Sequence, residues 1–137
     1  RVQGNSLYST EASPITVDMT FDEVHVDDFD AITFVAGNGA WHDFFPNDTV
    51  HRILATALRK EKIVGLLCAS TGLLGIAGNY DGTQKPLAEG RKVVGYYRVE
   101  AILRILGRTR YQTGGRNEPA VQVDGNLVTG RNPESSR

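Results

Sequence analysis

Residues Ile63–Ala77, IVGLLCASTGLLGIA, decide how this sequence folds. The run Ile63 to Leu67 is apolar and short enough for a buried strand, and Cys68, the only cysteine, follows at once. Small residues come next (Ala69, Ser70, Gly72), then Leu73, Leu74, Ile76 and Ala77, an apolar run that suits a packed helix. A strand turning sharply into a helix with a nucleophilic side chain at the turn is a nucleophile elbow. Backbone N–H groups after the turn then face whatever approaches the sulfur, and the helix N-terminus is expected to favour the thiolate. Cysteine also serves as a small core hydrophobe, so the functional reading rests on where Cys68 stands.

The bulk properties of the chain set limits. A chain of 137 residues is expected to make a single domain, 1–137, with a real core. Its net charge of −1 gives no electrostatic footprint for nucleic acid or an anionic membrane. No apolar run approaches a membrane span, so no membrane partner is expected. One cysteine makes no internal disulfide, which fits a reducing, cytoplasmic setting. His25, His42 and His51 are scattered without metal-ligand spacing, so no metal is expected. Gly37-Asn38-Gly39 lacks the rest of a dinucleotide fingerprint and no P-loop occurs, so no cofactor is expected.

Upstream of the elbow, Ile15–Phe21 alternates apolar and polar residues and reads as a half-buried strand. Ala31–Ala36, AITFVA, is a continuous apolar run of the kind a buried parallel strand requires. It ends in Gly37-Asn38-Gly39-Ala40, where an open α/β sheet places its ligand and where backbone N–H groups reach an anion unhindered. A plain tight turn is the competing reading. Trp41, Phe44 and Phe45 form either a lid or a packing plug. His42 beside Asp43 has the look of a base and its orienter, although neighbours on a loop rarely point at one another. Asn47 or Asp48 caps a helix carrying Val50, Leu54, Ala57 and Leu58 on one face, with His51 expected at the surface.

Downstream, Asn79–Gly90 is a loop, Arg91–Tyr97 contains a third strand-like run, and Val99–Leu106 a short helix closed by Gly107 as its C-cap. Ala120–Val123 and Leu127–Thr129 flank Asp124-Gly125-Asn126 and predict a hairpin. Alternating strands and helices predict an α/β fold with a largely parallel sheet.

The succession AGNGAWHDF, IVGLLCASTGLL, KPLAEGRKVVGYYRVEAILRILG and VQVDGNLVTGRNPESS resembles the ThiJ/PfpI superfamily, the glutamine-amidotransferase-like cysteine fold. The most specific piece is Asp124–Pro133, and the resemblance covers Ile15 to the end. It implies a doubly wound, mostly parallel, flavodoxin-like sandwich with a cysteine elbow and a small C-terminal hairpin. By position, Cys68 is the nucleophile, the N–H groups of Gly37 and Ala69 form the oxyanion site, and Asn38, Trp41 and His42 line the pocket. Ala69 stands where peptidase- and glyoxalase-type members place a histidine. The usual opening strand, helix and strand, with its glutamate, have no room here, and the final helix is missing. The expectation is therefore a family-sized domain incomplete at both ends.

The resemblance implies a cysteine-dependent hydrolase or lyase acting on small electrophilic carbon compounds, glyoxalase- or hydratase-like, through a thiolate adduct at Cys68. Its alternatives are a stress-response redox sensor or holdase chaperone of the same fold, or an inactive member. A small-molecule substrate and a homodimer or larger homo-oligomer are the partners it implies.

Overall fold

The computed structural model describes residues 2–3 and 14–136. Its centre is a four-stranded sheet of β3 (Ala31–Ala36), β4 (Ile63–Cys68), β8 (Leu127–Gly130) and β7 (Val121–Asp124), in that spatial order. The first three run parallel, with Ala36 opposite Cys68 and Leu67 opposite Gly130. Their carboxyl ends therefore meet at one edge, with Cys68 in the middle. β7 closes the sheet antiparallel through a two-residue turn in which Gly125 has φ +56°. Positive φ at the first turn position suits glycine and the twist of a hairpin. The fold is the mostly parallel α/β arrangement expected.

Two short ladders lie apart from this sheet. β1 (Val2–Gln3) pairs antiparallel with β2 (Pro14–Ile15), and β5 (Lys92–Val93) pairs parallel with β6 (Arg110–Tyr111).

Helix α1 (Ala40–Asp43) is a single turn after β3. Helix α2 (Asp48–Arg59) starts where predicted, because the Asn47 side chain accepts from the N–H groups of Thr49 and Val50. After β4 comes a 3-10 turn, Ala69–Gly72, and then α3 (Leu73–Ile76). Gly75 is where α3 meets the turn Ile102–Leu106: a Cβ there would stand 2.6 Å from the Ile102 carbonyl oxygen.

The strand order steps in one direction from β3 through β4 to β8, and right-handed crossovers then lay both connections on one face. Phe34, Val64, Leu66 and Leu127 on that face join Val50, Leu54, Leu73 and Leu74 in one core. The opposite face presents Val35, Ile63, Val121 and Val123, each more than half exposed.

Three expectations are corrected. Ile15–Phe21 is not a strand: beyond Ile15 it is exposed and irregular, and Thr20 with Glu23 forms a capping box that starts a 3-10 turn at Phe21–Glu23. Of Arg91–Tyr97 only Lys92–Val93 is strand, because Tyr97–Val99 coils into a 3-10 turn. Gly107 is the C-cap expected for the segment ending at Leu106. It has φ −76° and donates to the Ile102 carbonyl, closing a π-helical turn over Ile102–Leu106, while Arg108 takes positive φ. His51 is buried rather than at the surface, and its Nε2 finds no partner among the described residues.

Candidate functional site

Cys68 ends β4 with φ 60° and ψ −123°, a backbone conformation that side-chain-bearing residues rarely adopt. The sharp elbow read from the sequence is therefore real, and its surroundings explain how it persists. The Thr71 hydroxyl donates to the Cys68 carbonyl at 2.6 Å, and the Tyr96 N–H donates to the same oxygen at 3.4 Å. The Ser70 hydroxyl donates to the Phe34 carbonyl at 2.6 Å and accepts from the Leu67 N–H at 3.0 Å, tying the turn to both strands. Ala69, Ser70 and Thr71 are buried, so the turn is clamped from within. Strain of this kind is held only where neighbours over-determine it.

The half-buried thiol opens into a cleft of about 290 Å³. Its walls come from three separate segments. Tyr96 and Tyr97 stand on the first, with rings 4.6 Å apart edge to face. Arg116 and Asn117 stand on the second, and Asn132, Pro133 and Glu134 follow β8 on the third. Arg131, itself buried, fixes the second segment: its guanidinium donates to the carbonyls of Gly115, Glu118 and Gln112 at 3.2–3.3 Å. The Asn132 amide adds a bond to the Glu118 carbonyl, and Glu118 in turn accepts from the Gly115 N–H.

Electrostatics at the sulfur differ from the sequence expectation. Burial pushes the Cys68 thiol up, a hydrogen bond from the Ala69 N–H draws it back, and the Glu134 carboxylate adds to the rise. The anticipated bias toward thiolate fails because the elbow leads into a 3-10 turn and one α-helical turn, too short for much dipole, while half the group leaves water. On the rim, the Tyr97 hydroxyl is held below its ordinary range by hydrogen bonds from Tyr96 and Arg98 and by the nearby charges of Arg116 and Arg98.

The predicted site residues divide. Cys68 and Ala69 come together, with the Ala69 N–H on the sulfur. Gly37 follows Ala36, the register partner of Cys68, and open space surrounds the position its Cβ would take. Asn38, Trp41 and His42 belong to the turn and helix after β3 and do not line this cleft. Trp41 packs edge-on against Phe45 at 4.7 Å, which favours the packing reading of the aromatic cluster. Glu100 pairs with Arg104 at 2.8 Å on the helix surface. Sequence reasoning missed Tyr96, Arg116 and Glu134. For Glu134 a signal existed: it follows the carboxyl end of β8, beside β4, where an open sheet gathers its site. Among the described residues no three His, Cys, Asp or Glu side chains gather to hold a metal ion, and no helix is long and apolar enough to cross a membrane.

Comparison with known proteins follows the same lines. The model of the DJ-1/PfpI family matches residues 2–137. An uncharacterised protein of Methanocaldococcus jannaschii is 31% identical over 125 residues, covering 90% of this chain and 54% of that protein. The chain thus spans about half the length of this curated relative. A ThiJ/PfpI domain protein from Brachyspira murdochii superposes with a TM-score of 0.72 at 26% identity, covering 88% of this chain and 61% of that one. Glyoxalase III from Candida albicans superposes with a TM-score of 0.72 at 20% identity, covering 85% and 56%, a likeness of fold alone.

Proposed function

The chain belongs to the DJ-1/PfpI family, and from that premise we propose that it carries a cysteine-dependent activity in which Cys68 adds to the carbonyl carbon of a small 2-oxoaldehyde. The observation that carries this reading is the strained elbow itself. Backbone strain is retained at Cys68, and its side chain opens into a cleft beside a carboxylate.

A thiol pushed up by burial needs a proton acceptor as it attacks, and Glu134 is the carboxylate of the cleft. The S–H proton passes to Glu134 as the sulfur–carbon bond forms, and the carbonyl electron pair moves to oxygen. The N–H groups of Gly37 and Ala69 hold that oxygen, each such donor contributing on the order of 3 kcal/mol. Glu134 returns the proton to it, giving a hemithioacetal. The carboxylate then takes the proton from the former aldehyde carbon and delivers it to the neighbouring carbon through an enediol, while the hydroxyl proton passes to the neighbouring oxygen. The product is the thioester of a 2-hydroxy acid, which water hydrolyses to free acid and thiol. The sum is addition of one water, with no external oxidant or reductant. The glyoxalase name of one structural relative fits this chemistry.

The redox-sensor alternative is weaker on the same observations, because sensor cysteines are exposed and low in pKa whereas this thiol is half-buried and raised. The homo-oligomeric state implied by the resemblance stays part of the proposal.

The test is 2-hydroxy acid production from methylglyoxal by the protein and by Cys68→Ser and Glu134→Gln. Loss in the first and a fall in kcat in the second support the reading. Undiminished turnover in Cys68→Ser sinks it.

A further inference from the structure

We propose that the Cys68 cleft selects carbonyl compounds bearing a carboxylate, and that Arg116 is the group that recognises it. The inference rests on Cys68 being the reacting residue, and it names the substrate class.

The starting observation is an unspent guanidinium. Arg91, Arg104 and Arg108 each pair with a carboxylate, and Arg131 is occupied by three carbonyls. Arg116 lines the cleft, lies over the Tyr97 ring at 3.9 Å, and makes no ion pair among the described residues. A cation over a ring is held by the ring's quadrupole, and the guanidinium N–H groups form a planar fork matched to a carboxylate. The ring contact therefore holds the group at the cleft and leaves its N–H fork without an ion pair among the described residues.

The segment beneath it is built rather than loose. Buried Arg131 and the Glu118–Gly115 bond hold the wall on which Arg116 stands. The rim carries positive potential, since the Arg116 and Arg98 charges both act on the Tyr97 hydroxyl.

Charge in the cleft is polarised. Glu134 lies on the sulfur side, where its negative charge already acts on the thiol, and Arg116 lies on the rim beside Tyr97. An anionic substrate is repelled from the Glu134 side and held at Arg116, which directs its uncharged carbonyl end to Cys68. A volume of about 290 Å³ is at the small end of ligand pockets and suits a short chain carrying both groups. The ligand class is then a small oxo acid whose reactive carbonyl lies a few bonds from its carboxylate. For a 2-oxoaldehyde the probe is 4,5-dioxopentanoate, which would yield 2-hydroxyglutarate by the same addition of water.

Two readouts separate this inference from the reading it rests on. The first is kcat/KM for 4,5-dioxopentanoate divided by that for methylglyoxal. Arg116→Gln should lower this ratio about tenfold, the order carried by one charge-assisted contact, and Arg116→Lys should restore part of it. The second needs no turnover: the rate of Cys68 alkylation by iodoacetate divided by that by iodoacetamide. A change in thiol pKa alters both reagents alike and cancels, so a several-fold fall in Arg116→Gln reports anion recognition alone. An alkylation ratio unchanged in a variant of unaltered Tm overturns the proposal. A ratio that falls while neither dioxo compound is turned over upholds anion recognition and removes the 2-oxoaldehyde reaction.

Discussion

The hydroxyl of Thr71 donates to the carbonyl of Cys68 at 2.6 Å, closing the elbow from the residue three positions on. Gly95 is packed against it so closely that a Cβ there would stand 2.4 Å from the Thr71 hydroxyl oxygen. Thr71→Val keeps the shape and removes the donor, leaving the carbonyl to the Tyr96 N–H at 3.4 Å. The expected loss is about 1–2 kcal/mol in urea unfolding, with faster amide exchange through 68–72. An unchanged midpoint would mean that the hydroxyl does not hold the turn.

Strain at Cys68 predicts an inverted glycine effect. In an ordered position glycine ordinarily costs about 0.5–1 kcal/mol relative to alanine. At φ 60° and ψ −123° any Cβ is penalised. Cys68→Gly should therefore be more stable than Cys68→Ala by about 1–2 kcal/mol, read as the difference between their denaturation midpoints. If alanine is the more stable, the elbow is relaxed and the argument from strain to function fails.

The thiol has a pH signature of stated sign. Its folded pKa lies above the unfolded value, first through burial. Stability from this group is fully present below the unfolded thiol pKa of ~8.5 and is lost as pH rises through the folded value. The iodoacetamide rate should accordingly have its midpoint above that of a free thiol. Glu134→Gln should lower the midpoint without bringing it to the free-thiol value, because burial remains the larger cause. A wild-type midpoint below ~8.5 would mean that the amide donors outweigh burial.

How much of this was legible depended on whether a signal was continuous along the chain. AITFVA and IVGLLC read as strands because each is a short apolar run, although Val35 and Ile63 stay more than half exposed, and Asn47 with its helix carries a local capping mechanism. The elbow was legible because strand, cysteine and small residues are adjacent. The cleft was not. Tyr96, Arg116 and Glu134 are single residues on segments brought together only by the crossing of β8 beside β4. His51 sits on the buried face of α2, where its neighbours Val50, Leu54 and Ala55 gave an apolar context that its polarity masked. The alternation in Ile15–Phe21 was misleading because alternation needs a partner strand to matter, and only Pro14–Ile15 finds one.

Asp124-Gly125-Asn126, the part of the sequence that most resembles the family, turns out to be a junction in the scaffold. Arg91 bonds the Asp124 side chain at 3.1 Å and its backbone carbonyl, and reaches the Asn126 side-chain oxygen at 3.2 Å. The Asn126 amide donates to the carbonyl of Lys62 at 2.9 Å, just before β4 begins, and the Lys92 N–H donates to Asp124 at 2.6 Å. One turn therefore aligns the hairpin, the start of β4 and the Lys92–Val93 ladder, far from Cys68 at the other end of the same strand. Asn126→Ala removes the bridge and leaves the Lys62 carbonyl without it, at an expected cost of about 1–3 kcal/mol. Because β4 keeps its other pairings, the pH midpoint of Cys68 alkylation should not move. Stability should fall in chemical denaturation while alkylation keeps its wild-type profile under native conditions. A shifted alkylation midpoint in this variant would mean that the hairpin turn sets the elbow geometry, and the division between scaffold and site would have to be redrawn.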